Sequence, residues 1–218
     1  MSESVAIIPT YNESGNINNI LENIQDLSIK FDVIVVDDNS PDGTGDIIKD
    51  LIVKKKFNIN ITLIERKVKD GLGSAYIEGF QKAISLNYKF IFQIDCDGSH
   101  NPKKLVEMKK TLVNDSDIVV GSRYIKGISV LHWPLPRLLL SIFANYYVKF
   151  ITGMKVNDST GGFNGYSRDA LESILKNKIT FQGYAFQIQM KFIGYKFCLL
   201  YTSPSPRDLS TSRMPSSA

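Results

Sequence analysis

Lys89-Phe-Ile-Phe-Gln-Ile-Asp-Cys-Asp-Gly-Ser-His100 is the stretch on which the fold turns: the mainly apolar run from Phe90 to Ile94 leads straight into two carboxylates, Asp95 and Asp97, two positions apart. Such a run reads as a buried strand of a parallel sheet, and ligands of open α/β sheets lie just beyond the carboxyl ends of such strands. Asp95 and Asp97 therefore fall where strand gives way to loop, where both side chains can approach one hard cation while the backbone bends around it. Oxygen ligands of this kind select Mg²⁺ or Mn²⁺. A polar turn capping a core strand has the same local pattern, so the other strand ends must decide.

Working outward, strand-like and helix-like segments alternate. Val5 to Ile8 is a strand ending in Pro9-Thr10-Tyr11-Asn12-Glu13, and Ile17, Ile20, Leu21, Ile24 and Leu27 then recur at helical spacing. Phe31 to Val36 is an apolar strand that ends in the dense turn Asp37-Asp38-Asn39-Ser40-Pro41-Asp42-Gly43-Thr44, followed by a helix through Ile47, Ile48, Leu51 and Ile52. A third strand, Ile59 to Ile64, meets a loop at 67–73, and a helix over 74–86 leads into the strand at Phe90. A helix from Pro102 to Leu112 and a fifth strand, Asp117 to Val120, follow. This βαβαβαβ order predicts an α/β fold with a mainly parallel sheet and helices on both faces.

Composition excludes several classes. The 218 residues, 43% hydrophobic and 22% charged, suit one domain with an adequate core, and the net charge of +4 is spread over short Lys clusters rather than gathered into a nucleic-acid stripe. No nucleic-acid partner is expected. Met1-Ser-Glu-Ser4 passes directly into the first apolar run without a basic, cleavable leader, which predicts a cytoplasmic protein. From Cys198 the composition changes to Cys-Leu-Leu-Tyr-Thr-Ser-Pro-Ser-Pro-Arg-Asp208 and a Ser-rich end, two halves that resemble translated sequencing adapters. The expectation is a single catalytic domain over 1–197, incomplete at its C-terminus, and a non-native tail over 198–218 that supplies no strand. Cys96 is then the one remaining cysteine, and neither a disulfide nor a cysteine metal site is available.

Three successive strand ends carry Tyr-Asn-Glu, Asp-Asp-Asn-Ser and Asp-Cys-Asp, so acidic and amide groups gather at one sheet edge. Neither G-x-G-x-x-G after the first strand nor a Walker A loop is present. Carboxylates can receive a nucleotide if they accept hydrogen bonds from base and ribose and leave the phosphates to a metal. Taken with Gly71-Leu72-Gly73-Ser74-Ala75-Tyr76, Asp95-x-Asp97-x-Ser99-His100, Gly121-Ser122-Arg123-Tyr124 and Thr160-Gly161-Gly162-Phe163, the sequence over residues 4–197 resembles the family-2 glycosyltransferases of GT-A fold. More narrowly it is similar to the dolichyl- and polyprenyl-phosphate mannosyltransferases. Gly98 stands where that family carries Leu, and Cys96 where it carries Ala.

The resemblance implies an inverting, metal-dependent transfer of mannose from GDP-mannose to a polyprenyl phosphate. Pro9, Tyr11, Glu13, Asp38 and Asp95 would hold the nucleotide sugar, and Asp95, Asp97 and Ser99 the Mg²⁺ or Mn²⁺. Ser122, Arg123 and Arg137 would orient the acceptor phosphate, whose second pKa near ~6 leaves it a ready nucleophile without a strong base. Asp97, Arg123 and Arg137 are the residues expected to carry catalysis. Thr160 to Phe163 would line the acceptor side.

From Ile128 to Met154 the chain is apolar and aromatic but broken by Asn145 and Lys149, too short in uninterrupted apolar length to span a bilayer. It reads as a helix lying in a membrane interface with Trp133, Tyr146 and Tyr147 at headgroup depth, or else as a buried core helix. Peripheral attachment to the cytoplasmic face of a membrane follows from the first reading, with any anchoring partner unassigned. A UDP-glucose-dependent transferase acting on the same lipid phosphate and a non-catalytic nucleotide-sugar binding module are the alternatives.

Overall fold

A computed structural model describes residues 2–114, 116–124, 135–197 and 209–212. The chain divides into two compact units, Met1–Lys110 and Thr111–Ala218.

In the first unit β1 (Ser4–Thr10), α1 (Ile17–Gln25), β2 (Asp32–Asp37), α2 (Thr44–Val53), β3 (Ile61–Glu65), α3 (Leu72–Ser85) and β4 (Phe90–Gln93) follow in turn. The helix α4 (Lys104–Asn114) runs across the division. The strands lie in the order β3-β2-β1-β4, and every pairing among them is parallel. The expected parallel α/β sheet is thus present here. The strands form where side chains that suit a sheet buried on both faces run consecutively: Val5 to Ile8 and Val33 to Val36 are buried throughout. The α1 stripe of Ile17, Ile20, Leu21 and Ile24 is buried as its spacing predicted, while Leu27 lies beyond the helix end. Helix α3 packs on β1, β2 and β4. It comes so close that a Cβ at Gly79 would sit 2.4 Å from Ile7 of β1.

Parallel pairing brings the strand ends level. Ile8 pairs with Val35 and Thr10 with Asp37, so the polar segments that leave β1 and β2 start side by side. Asp37 ties them together. Its carboxylate accepts from Thr10 Oγ1 at 2.9 Å, Ser40 Oγ at 2.6 Å and Ser40 N at 3.0 Å, and Asp38 N donates to Thr10 O at 2.9 Å.

The second unit holds β5 (Ile118–Gly121), α5 (Leu135–Thr152), β6 (Asn164–Ser167), α6 (Arg168–Leu175), α7 (Gly183–Lys196) and β7 (Leu209–Ser212). Here pairing is antiparallel, with β5 between β6 and β7. The expectation that the tail supplies no strand is corrected at Leu209–Ser212, which pairs with β5 from Gly121↔Leu209 to Ile118↔Ser212. An antiparallel ladder is made by backbone N–H and C=O groups, and these four residues contain no proline. The other tail residues, and all of 125–134 including Trp133, lie outside the described residues.

Candidate active site

The carboxyl ends of β1, β2 and β4 open onto one cleft of about 230 Å³ in the first unit. Pro9, Tyr11, Glu13, Asp38, Asp95 and Asp97 all line it. Sequence reading named them from three different strand ends, and the parallel register is what brings them together.

Two turns shape the rim. Asn12 and Asn39 hold left-handed backbone (φ 60° and 57°), a conformation that Asn tolerates better than most residues. Asp42 accepts from Ser14 N, Thr44 N and Thr44 Oγ1, while Thr44 Oγ1 accepts in turn from Glu13 N at 3.0 Å. The Tyr11–Ser14 segment is thereby fastened to the start of α2. The hydrogen bond from Thr44, ahead of those from Ser14, holds the Asp42 carboxyl well below the usual carboxylate range.

Asp38 is buried and forms an ion pair with Arg66, which also reaches Ser74 Oγ at 2.8 Å and Glu78 Oε2 at 3.2 Å. Burial pushes the Asp38 carboxyl up, and Arg66 followed by Lys69 pulls it only part of the way back. Lys69 lines the cleft itself, its Nζ 3.4 Å from the centroid of the Tyr11 ring. Arg66, behind Asp38, and Lys69, on the cleft wall, are residues of the candidate site that sequence reading passed over. Their one signal is a pair of cations in the loop before Gly71, and that pattern is ordinary on a solvated surface.

At the end of β4, Asp95 is half-buried and oriented: Tyr76 OH donates to its Oδ1 at 2.7 Å, and its N–H donates to His100 Nδ1 at 3.1 Å. An accepting Nδ1 leaves the proton of the neutral ring on Nε2, which lies 3.8 Å from Asp95 Oδ2. Asp97 is exposed and accepts from Ser99 N at 2.9 Å, which folds the loop back on itself and puts Ser99 beside the carboxylate pair. Gly98 has a φ of +76°, so the residue that replaces the family's leucine occupies backbone that a side chain would strain. Burial, with Glu13, Asp97 and Asp95 nearby, pushes the Cys96 thiol up to about 12, which makes it a poor nucleophile.

No group of three or more His, Cys, Asp or Glu among the described residues could hold a metal on its own. Two carboxylates, one oriented by Tyr76 and one exposed, instead suit an ion such as Mg²⁺ that takes one or two protein carboxylates and completes its shell with substrate phosphate and water.

The acceptor residues expected from sequence fall in the second unit. Ser122 is buried and its Oγ accepts from Tyr124 N at 3.1 Å. Arg123 grips Asp158 with Nε to Oδ2 at 2.7 Å and Nη2 to Oδ1 at 2.8 Å, and Nη2 also donates to Thr160 Oγ1 at 2.8 Å. The forked edge expected to meet a phosphate is therefore committed to a carboxylate, because Asp158 is wholly buried and requires a partner. Burial works against the Arg123 charge, but the bonds to Asp158 raise its pKa overall; in Asp158, burial opposes and Arg123 more than offsets, so that carboxyl is lowered. Gly161 N donates to Asp158 Oδ1 at 2.9 Å, and a Cβ at Gly161 would lie 3.1 Å from that carboxylate. Gly161 allows a close approach, in this case to Asp158. Arg137 belongs to α5, but its side chain lies outside what the structure describes.

Helix α5 is not a buried core helix. Leu139, Leu140, Phe143, Tyr146, Tyr147, Phe150 and Ile151 are exposed, Phe150 at 86%, and at 100° per residue they occupy one arc of about 140°. No helix among the described residues is long and apolar enough to cross a membrane.

A parallel α/β unit with an acidic cleft at its strand ends, and no glycine cradle for phosphates, is the arrangement of the GT-A glycosyltransferases. A mannosyltransferase from Pyrobaculum calidifontis, solved in complex with GDP-Man and Mn²⁺, shares the fold at a TM-score of 0.54 and 21% identity over 78% of this chain; this chain spans 46% of that one. The chain belongs to glycosyl transferase family 2, whose profile matches residues 5–175, and it is a glycosyltransferase. It is 34% identical over 215 residues to the polyprenol monophosphomannose synthase of Mycolicibacterium smegmatis, covering 97% of this chain and 80% of that protein. It is also 34% identical over 214 residues to the undecaprenyl-phosphate mannosyltransferase of Micrococcus luteus, covering 96% and 86%. A match of 97% runs past residue 197.

Proposed function

We propose that this glycosyltransferase moves mannose from GDP-mannose to a polyprenyl phosphate, with inversion and with Mg²⁺ or Mn²⁺, at the cytoplasmic face of a membrane. The observation that carries the reading is the convergence of Pro9, Tyr11, Glu13, Asp38, Asp95 and Asp97 on one cleft. The likeness to a polyprenol monophosphomannose synthase and an undecaprenyl-phosphate mannosyltransferase supports the sugar and the acceptor class.

In this reading Pro9 and Tyr11 form an apolar wall for the base, and Asp38, paired with Arg66, accepts hydrogen bonds from base or ribose. Asp95 and Asp97, with Ser99, would hold the divalent ion, which offsets charge growing on the departing diphosphate. Tyr76 and His100 fix Asp95 before substrate arrives, so little reorganisation is left for the reaction itself. A phosphate oxygen of the acceptor forms the new bond to the anomeric carbon as the bond to the GDP oxygen breaks on the opposite face. The acceptor is already dianionic near neutral pH, so no side chain need remove a proton. Arg123 serves as a charge anchored by Asp158 rather than as a free fork, with Ser122 and Arg137 completing the acceptor-phosphate group. The exposed apolar arc of α5 lies in the lipid interface, where Tyr146 and Tyr147 suit headgroup depth.

The deciding experiment is turnover with a short polyprenyl phosphate and either GDP-mannose or UDP-glucose, with and without Mn²⁺. Mannosyl-lipid formed from GDP-mannose only when metal is present is the expected result. Preference for UDP-glucose would replace the donor, and donor binding without any turnover would point to a binding module.

A further inference from the structure

Lys191 of α7 is the most unusual charge in the second unit. It is wholly buried, and its Nζ donates to Gly161 O at 2.6 Å and to Ser159 O at 3.2 Å. Those carbonyls belong to the loop whose Asp158 grips Arg123. The loop is fastened from a third side by Asn145 of α5, whose Oδ1 accepts from Ser159 N and Ser159 Oγ, each at 2.7 Å. A lysine in full burial is costly, and a neutral amide could cap two carbonyls at much lower cost. A reason specific to charge is therefore required.

The reason lies in what Arg123 presents to a ligand. Its side chain is 21% exposed, whereas that of Asp158 is 0% exposed and sits directly behind it. An Arg–Asp pair alone is neutral as a unit, and an approaching phosphate would feel the carboxylate's repulsion almost as strongly as the guanidinium's attraction. With the Lys191 ammonium added, the group carries two positive charges and one negative. We propose that Lys191 is a positioning residue for acceptor use: it holds the Ser159–Gly161 carbonyls and balances Asp158 from behind, leaving Arg123 with surplus positive charge for a phosphate dianion. This rests on the reading of Arg123 as an acceptor-side residue.

Titration makes the idea measurable. Burial pulls the Lys191 ammonium down to about 7, against Asp158, which favours its charge, and with Arg123, which opposes it. Those two are the charged groups that face it among the described residues; Gln187, one turn earlier on α7, is neutral and accepts from Asn164. Surplus charge is then present below about pH 7 and fades above it. The acceptor's own second ionisation near ~6 acts in the opposite direction, since it strengthens binding as pH rises. A dianion bound near Arg123 also favours the protonated lysine, so acceptor binding between pH 7 and 8 takes up protons.

The test uses the full chain with a short polyprenyl phosphate from pH 6 to 8.5, comparing wild type with Lys191→Met, Lys191→Gln and Arg123→Ala. For wild type, acceptor KM should rise about tenfold above pH 7, and calorimetry in buffers of different ionisation enthalpy should register proton uptake. Lys191→Met and Lys191→Gln should raise acceptor KM about tenfold at pH 6.5, flatten its rise above pH 7, and leave the KM for GDP-mannose within about twofold. A Lys191→Gln enzyme with wild-type acceptor KM and pH profile would overturn the proposal, because capping of carbonyls would then suffice. If Arg123→Ala also leaves acceptor KM unchanged, the acceptor-side reading itself fails. Should the lysine variants not fold, a wild-type acceptor KM that is flat above pH 7, without proton uptake, overturns the proposal by itself.

Discussion

Asp97 is the exposed member of the carboxylate pair, and the hydrogen bond it accepts from Ser99 N shapes the loop rather than neutralising the charge. Asp97→Asn keeps that acceptor but weakens the hold on a hard cation. Transfer should drop on the order of 100-fold, with partial recovery at high Mn²⁺. Near-normal turnover at low metal would remove Asp97 from the ion. Arg66 is the opposite case, a residue that acts through another. Both Arg66 and Asp38 are nearly buried, so Arg66→Ala strands a carboxylate and should destabilise the chain by roughly 3 kcal/mol, read from the urea midpoint, while also weakening GDP binding. Loss of GDP affinity without loss of stability would show that Arg66 meets the nucleotide directly.

At the scale of the element, α5 presents one face to solvent and another to its own unit. Asn145 points inward to Ser159, and Ser141 Oγ lies 2.6 Å from Tyr124 OH, while the arc through Phe143 and Phe150 is uncovered. Burying a phenylalanine side chain contributes about 1.5–3 kcal/mol, so removing two of them should be visible in membrane partitioning. Phe143→Ser with Phe150→Ser should lower co-sedimentation with anionic phospholipid vesicles at least tenfold and leave GDP-mannose binding unaltered. Unchanged sedimentation would assign the arc to another partner. The same scale shows how an edge strand can form from residues without a hydrophobic pattern: Leu209–Ser212 needs only its backbone to extend the ladder on β5.

Across the whole molecule, stability should vary with pH in two separate windows. Burial alone would raise Asp32, but hydrogen bonds from Ser2, Asn60 and Tyr88 leave it lowered, and Arg123 does the same for Asp158. A carboxyl lowered in the folded chain stabilises fully above its unfolded value near ~4, and that stability is lost as pH falls through the folded value. Lys191 behaves differently: its pKa falls from 10.5 unfolded to about 7 folded, so the unfolded chain binds more protons between those values. Stability therefore rises with pH from about 7 towards 10.5. Thermal midpoints should climb between pH 3 and 5 and again between pH 7 and 9. Asp32→Asn with Asp158→Asn should reduce the first rise and Lys191→Met the second. A flat profile above pH 7 in wild type would mean that Lys191 keeps its charge in the fold well above pH 7, as an ordinary lysine does.

Much of the acidic cleft was legible in the sequence, because the signals are local. Apolar runs such as Val5 to Ile8, helical spacing such as Ile17 to Ile24, and polar residues at each strand end do not depend on distant partners. Parallel strands necessarily place their carboxyl ends on one edge, so Tyr11, Asp38 and Asp95 had to be neighbours once the alternation was seen. The apolar and aromatic run that forms α5 had the same local source. Only the tertiary structure could pair Arg66 with Asp38, 28 positions away, or commit Arg123 to Asp158, 35 positions away. Lys191 is the clearest instance: in Gln-Met-Lys-Phe it reads as an ordinary solvated lysine, and nothing within a helical turn marks it as buried. Its surroundings are made by a loop 30 residues earlier, and burial of a charge is a property of what the rest of the chain packs around it.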